Sequence, residues 1–125
     1  MRVLIFIALI ACSSSDSKQT PAPTPVADKA IDPARAKALI AKGAVVLDVR
    51  SDGEFKEGRL DQAINIPVQE LQGRMAEVHQ LTHDNKSKPI VVYCSAGKRA
   101  AEAKAQLEAA GYKQVVNGGG LDDLR

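Results

Sequence analysis

The sequence predicts an α/β fold, a parallel central sheet with helices on both faces. Three observations carry that prediction. From Ile31 onward, short β-branched runs alternate with helical stretches, the pattern of a parallel α/β sheet. Two of the runs, AVVLDV (residues 44–49) and PIVVY (residues 89–93), are apolar at nearly every position, as expected of strands covered above and below. The second passes through CSAGKR directly into the alanine-rich AAEAKAQLEAAG, which reads as strand, turn and helix.

Taken in order, Asp32 followed by Pro33 is a helix start, a capping side chain and then a first-turn proline, and Gly43 is a stop after ARAKALIAK. AVVLDV is the first central strand. A polar segment, RSDGEFKEGRLDQ, separates it from AINIP, a short strand closed by Pro67. QELQGRMAEVHQL then places Leu71, Met75, Val78 and Leu81 on one side of a helix, despite Gly73. PIVVY, the most apolar run, is the expected sheet centre. After the CSAGKR turn, Ala100, Ala103, Leu107 and Ala110 fall on one face of a helix ended by Gly111. KQVVN is the last strand, and GGGLDDLR closes the chain.

At 125 residues the chain has room for one modest domain with a single core. Its 17 basic and 15 acidic residues give a net charge of +2 spread along the sequence, and aromatics are only 3%. No nucleic-acid surface is expected from that pattern.

The first eleven residues, MRVLIFIALIA, carry one positive charge and then an apolar run from Val3 to Ala11. That run is too short for a hydrocarbon core, which takes about 20 helical residues, and it suits a short secretory segment. It stops at Leu9-Ile10-Ala11-Cys12, which resembles the bacterial lipoprotein signal, where a cysteine after a small residue receives a diacylglyceryl group. A plain signal peptide and a buried first strand stay open as alternatives. Against the strand, SSSDSKQTPAPTPVADKA has too few apolar residues to join a core. The expected organisation is a signal peptide over residues 1–11, lipidated Cys12 and a Ser/Thr/Pro tether over 12–30, and a folded domain over 31–125. The protein is then exported and lipid-anchored in the bacterial envelope, on the periplasmic face or the cell surface, and touches the membrane only through that anchor. With Cys12 acylated, Cys94 is the only free thiol, and no intramolecular disulfide is possible.

Chemistry is expected where the best strand hands over to its helix, because crevices at the carboxyl ends of parallel strands are where open α/β sheets bind ligands. Cys94 occupies that point. Backbone N–H groups of the turn, the positive end of the following helix, and the charges of Lys98 and Arg99 all favour a thiolate over a thiol. Gly97 permits close backbone approach. The bland alternative is a small buried hydrophobe at a strand end, the commonest state of a free cysteine. Two reaction classes use a cysteine in an anion-cradling loop at a helix start. Cysteine-dependent phosphatases place five residues between cysteine and arginine, whereas only four separate Cys94 from Arg99. The smaller ring is a poorer phosphate cradle and better suited to a single sulfur atom held on the cysteine.

The sequence here resembles the rhodanese homology domain, the single-domain sulfurtransferases. VVLDVRSDGEFKEGRL resembles the family's first block, and AINIP matches the next through Ala63, Asn65, Ile66 and Pro67. PIVVYCSAGKRA matches the Cys-x-x-Gly-x-Arg block through Cys94, Gly97 and Arg99, and VVNGGGLDDL resembles the closing block. The likeness spans residues 32–124 in order. It implies a rhodanese-like fold and a sulfur relay in which Cys94 takes the outer sulfur of a small anionic donor, thiosulfate or a persulfide. Cys94 would hold that sulfur as a persulfide and yield it to a thiol acceptor or reductant. Loop residues Ser95, Ala96, Gly97, Lys98 and Arg99 would bind the persulfide, with Arg99 bracing the loop and Lys98 facing entering anions. Asp48 and Arg50 would tie the end of the first strand to that loop, with an ordinary salt bridge as the alternative. Glu54 and Arg59 are candidates for structural ion pairs. The resemblance implies no metal and no organic cofactor.

Several positions depart from the family pattern. Arg59 stands where histidine is usual and Asp61-Gln62 replace Pro-Gly, so a more charged rim is expected to face the site. Ala100 replaces a frequent serine, Leu124 stands where tryptophan is typical, and the sequence stops at Arg125 short of the family's closing helix. His79 and His83, distant in sequence from Cys94, are expected to be structural, and Asp122-Asp123 to be a solvated end. A competing class is a sulfur-carrying or redox-sensing module on the same fold that loads Cys94 without turnover.

Overall fold

The computed structural model describes residues 31–125. The expected signal peptide, Cys12 and the tether lie outside the described residues.

Asp32 caps the first helix, its carboxylate accepting the Arg35 N–H at 3.0 Å, and α1 runs Pro33–Ala41. Strand β1 (Val45–Asp48) follows. The polar segment after it is not a plain loop: α2 (Asp52–Glu57) opens on a capping box in which Ser51 and Glu54 satisfy each other's backbone N–H groups. Strand β2 is short, Ile64–Asn65. The single helix expected next is broken into α3 (Val68–Leu71), a 3-10 turn (Gln72–Arg74) and α4 (Met75–Leu81). The break falls at Gly73, a weak helix former. Leu71 and Val78 nonetheless reach the core, with Met75 and Leu81 packed at its edge.

Strand β3 (Ile90–Cys94) is buried at every position. It leads into α5 (Lys98–Ala109), whose Ala100, Ala103 and Leu107 are buried, and Gly111 follows in the left-handed region at φ 101°. Strand β4 (Val115–Gly120) runs three residues further than KQVVN and ends in three glycines, and a one-turn helix, α6 (Leu121–Leu124), follows.

The sheet is parallel throughout, in the order β2-β1-β3-β4, so both apolar runs are central. Strand pleating sends alternate side chains to opposite faces. Leu47, Ile90, Val92 and Cys94 face one layer, with Leu71 and Val78, and with Ala103 and Leu107 of α5. Val46, Val91 and Tyr93 face the other, with Ala36 of α1 and Leu121 and Leu124 of α6. The predicted architecture, helices on both faces of a parallel sheet, is the observed one. Pairing of β3 with β4 shifts after Val92 and brings Cys94 opposite Gly120, so the last strand reaches the turn that follows Cys94.

Candidate active site

Cys94 ends the central strand and is 1% exposed. Gly97 takes φ 93°, which only glycine adopts without strain, and that turn aims its N–H back at the sulfur: Gly97 N–H donates to Cys94 Sγ at 2.9 Å. Helix α5 starts at Lys98, with Gly97 at its cap. An anionic sulfur here meets one donated N–H and the positive end of a helix.

The loop is held from three sides. Arg99 donates to Ser95 Oγ at 2.9 Å and forms a two-pronged ion pair with Glu54 of α2 at 2.7 and 3.1 Å. The Arg99 guanidinium holds the Glu54 carboxyl well below the usual carboxylate range, at about 2. From β4, buried Asn117 donates to the Gly97 carbonyl at 2.9 Å and accepts the Gly119 N–H. Finally, Gly120 packs so tightly under Ser95 that a Cβ there would collide with the Ser95 carbonyl oxygen. Arg99 braces the loop as expected, and its partner is Glu54, one of the two candidates for ion pairing. Sequence reasoning missed Asn117 and Gly120; the available signal was a polar residue inside a strand, VVN, followed by glycines.

The other expected residues are distributed differently. Lys98, predicted to face entering anions, borders an apolar groove with Ile31, Ala96 and Asn117 and does not line the charged cavity described below. Consecutive helical residues diverge by about 100°, so Lys98 and Arg99 cannot share a direction. Arg59 makes no ion pair among the described residues. Its guanidinium lies 4.5 Å from the Phe55 ring centroid, and with Asp61 and Gln62 it lines a groove that also holds Lys37 and Leu124, so these three residues do not line the cavity beside the loop. Asp48 and Arg50 are a buried pair with contacts of 2.6 to 3.1 Å, and Arg50 also donates to the Gly58 carbonyl at 2.6 Å. This pair ties β1 to the exit of α2, not to the Cys94 loop. Tyr93, buried beside Arg50, receives the Leu60 N–H on its hydroxyl, and burial pushes that hydroxyl up to about 12. Asp122-Asp123 is not simply a solvated end, because Asp123 accepts the Gly120 N–H at 2.8 Å. His79 packs with Tyr112, Thr82 and Lys86 in a polar cluster, its Nδ1 lying 2.6 Å from the Tyr112 hydroxyl.

A cavity of about 290 Å³ opens beside the loop, lined by Ser95, Arg50, Glu54, Glu57, Asp122 and Arg125 among others. Among the described residues, no group of three His, Cys, Asp or Glu side chains could hold a metal ion.

The model of the rhodanese-like domain matches residues 32–123. The chain is 36% identical over 78 residues to thiosulfate sulfurtransferase PspE of Escherichia coli, covering 62% of this chain and 71% of that one. It is 38% identical over 98 residues to thiosulfate sulfurtransferase 18 of Arabidopsis thaliana, covering 72% of each. A tRNA uridine(34) hydroxylase of Buchnera aphidicola is 32% identical over 86 residues, but only 28% of that longer protein is covered. Among solved structures, one described as a rhodanese with anions from E. coli superposes with a TM-score of 0.58 at 34% identity, over 65% of this chain and 91% of that one.

Proposed function

Because the chain belongs to the rhodanese-like domain family, we propose that it is a sulfurtransferase working through a persulfide on Cys94. The Cys94 thiolate attacks the outer sulfur of a donor, R–S–S⁻ or thiosulfate. The new bond joins Sγ to that sulfur, the old S–S bond breaks, and its electron pair leaves on the thiolate or sulfite. A thiophilic acceptor, cyanide or a thiol, then attacks the terminal sulfur and Cys94 departs as thiolate. The sulfane sulfur changes hands as a neutral atom with its oxidation state unchanged, so no external oxidant or reductant is consumed. The Gly97 N–H, already directed at Sγ, and the start of α5 supply preorganised positive potential for the anionic persulfide.

The observation that carries this reading is the Gly97 N–H donated to Cys94 Sγ at a strand-to-helix turn, in a domain whose relatives include two thiosulfate sulfurtransferases. Intact mass of the purified protein, before and after thiosulfate or a small persulfide, tests it. One sulfur atom is expected to be gained, lost on adding cyanide, and never gained by Cys94→Ser. A thiol that alkylates readily yet gains nothing from either donor refutes the reading, and a single loading without turnover reduces the protein to a sulfur carrier.

A further inference from the structure

Ile31 is one of two large apolar side chains left exposed among the described residues, at 44% against 38% for Ile64. The covered part of its surface goes to two glycines. Its Cδ1 lies 2.5 Å from the point where a Cβ on Gly97 would be, and its Cγ2 lies 2.7 Å from the corresponding point on Gly119. Both glycines sit in the left-handed region, at φ 93° and 85°, so one isoleucine fills the outer side of two turns that have no side chain of their own to fill it. A β-branched side chain is stiff about χ1, which lets its two branches hold both contacts at a fixed separation. The backbone sets the residue there: Ile31 bridges to Asn117 in parallel, and the Asp32 N–H donates to the Asn117 carbonyl at 2.9 Å. The same Asn117 donates its side-chain amide to the Gly97 carbonyl. Gly97 is thus held from two directions, through its carbonyl by Asn117 and across its Cα by Ile31, while its N–H points at Cys94 Sγ 2.9 Å away.

We propose that Ile31 is a positioning residue for the sulfur site: its side chain is the backstop that keeps the Gly97 N–H on Cys94 Sγ. The assignment rests on the sulfurtransferase reading and adds to it a residue far in sequence from the Cys94 loop. Glycine has the widest backbone freedom of any residue, and without the backstop the Gly97 peptide can turn outward into the apolar groove that Ile31 borders with Ala96 and Ala101. The N–H then leaves the sulfur, and an anionic sulfur, thiolate or persulfide, loses a charge-assisted hydrogen bond that favours it over the neutral form. Ile31 acts through Gly97 and not on the sulfur itself.

The test compares Ile31→Ala and Ile31→Val with a control, Ile64→Ala, which removes a side chain of similar exposure from β2, at the opposite edge of the sheet from β4. Alkylation of Cys94 by iodoacetamide is measured on the full chain at about pH 6 and about pH 9.5, read from the mass of the peptide that carries Cys94. A change in access alters both rates alike, whereas a lost donor slows only the reaction at low pH, because the thiolate is the nucleophile. We expect the ratio of the high-pH to the low-pH rate to rise about threefold to tenfold in Ile31→Ala and to stay within about twofold of wild type in Ile64→Ala. Ile31→Val, which loses Cδ1 alone, should show a smaller rise in the same direction, and it decides the matter by itself if Ile31→Ala does not fold. The Gly97 amide should lose protection from hydrogen exchange in step with the ratio. A ratio unchanged in the Ile31 variants, one that rises equally in Ile64→Ala, or one that rises while Gly97 stays protected overturns the inference. Sulfur loading is measured on the same proteins by intact mass. A wild type that loads while the Ile31 variants keep its ratio sinks this inference alone, whereas a raised ratio in a protein whose wild type never loads supports it and sinks the sulfurtransferase reading.

Discussion

Replacing Glu54 by glutamine tests whether the charge that holds the Cys94 loop also stabilises the fold. Glutamine keeps the capping geometry at the start of α2, since Gln completes a capping box as Glu does. What it removes is the ionic component of the contact with Arg99. The Glu54 carboxyl is lowered from 4.5 to about 2. At about 1.36 kcal/mol per unit, that is a ceiling of roughly 3.4 kcal/mol. Both side chains are about a third exposed, 31% and 34%, so solvent screening reduces the expected loss to about 1–2 kcal/mol. The sign follows from the direction of the shift. A carboxyl depressed in the folded state stabilises fully above its unfolded value near 4.5 and loses that contribution as pH falls toward 2. Urea unfolding of wild type and Glu54→Gln should differ by about 1–2 kcal/mol at pH 7, a midpoint shift on the order of 1 M, and by under about 0.5 kcal/mol near pH 2. The rate of sulfur loading should fall as well, because Arg99 is released from one of its two partners. No stability gap at pH 7, or a gap of equal size at both pH values, would refute the argument.

The buried Asp48 and Arg50 pair predicts that Asp48→Ala costs about 3–5 kcal/mol by denaturation, while Asp48→Leu combined with Arg50→Met recovers most of it, since the loss comes from stranding one charge. Gly120→Ala should push the Ser95 carbonyl out of place and reduce sulfur loading by at least tenfold while circular dichroism still shows a folded domain; unchanged loading would mean that the loop tolerates the displacement. For the residues outside the described part, globomycin, which blocks lipoprotein signal cleavage, is expected to make an unprocessed precursor accumulate, and indifference to the drug would remove the lipid anchor on Cys12.

Elements whose local chemistry and burial agree were legible in the sequence. The Asp32-Pro33 start, the two apolar central strands and the alanine face of α5 each combine a signal with a buried surface that needs it. Helix α2 was not read, although Ser51-x-x-Glu54 is a capping box in plain view, because none of its six residues is fully buried and no apolar periodicity marks it. The extension of β4 through Gly118, Gly119 and Gly120 ran against strand propensity, and tertiary packing decided it: each glycine sits where a Cβ would strike a neighbour. At the site, the motif located Cys94, Gly97 and Arg99, since those contacts lie within five residues of one another. It misplaced Arg59, whose guanidinium lies over the Phe55 ring. Asn117 could not be found from the motif at all, because its bond to Gly97 spans 20 residues.

That separation of near and far residues bears on specificity. The group that donates to the sulfur comes from the loop's own turn, whereas the outer charges of the cavity come from the end of α2 and from residues 122 and 125, which the motif does not constrain. Loop and cavity meet at Glu54, which lines the wall yet is bound to Arg99 of the loop. A ligand cation that competed for Glu54 would loosen the brace on Ser95 and expose the loop.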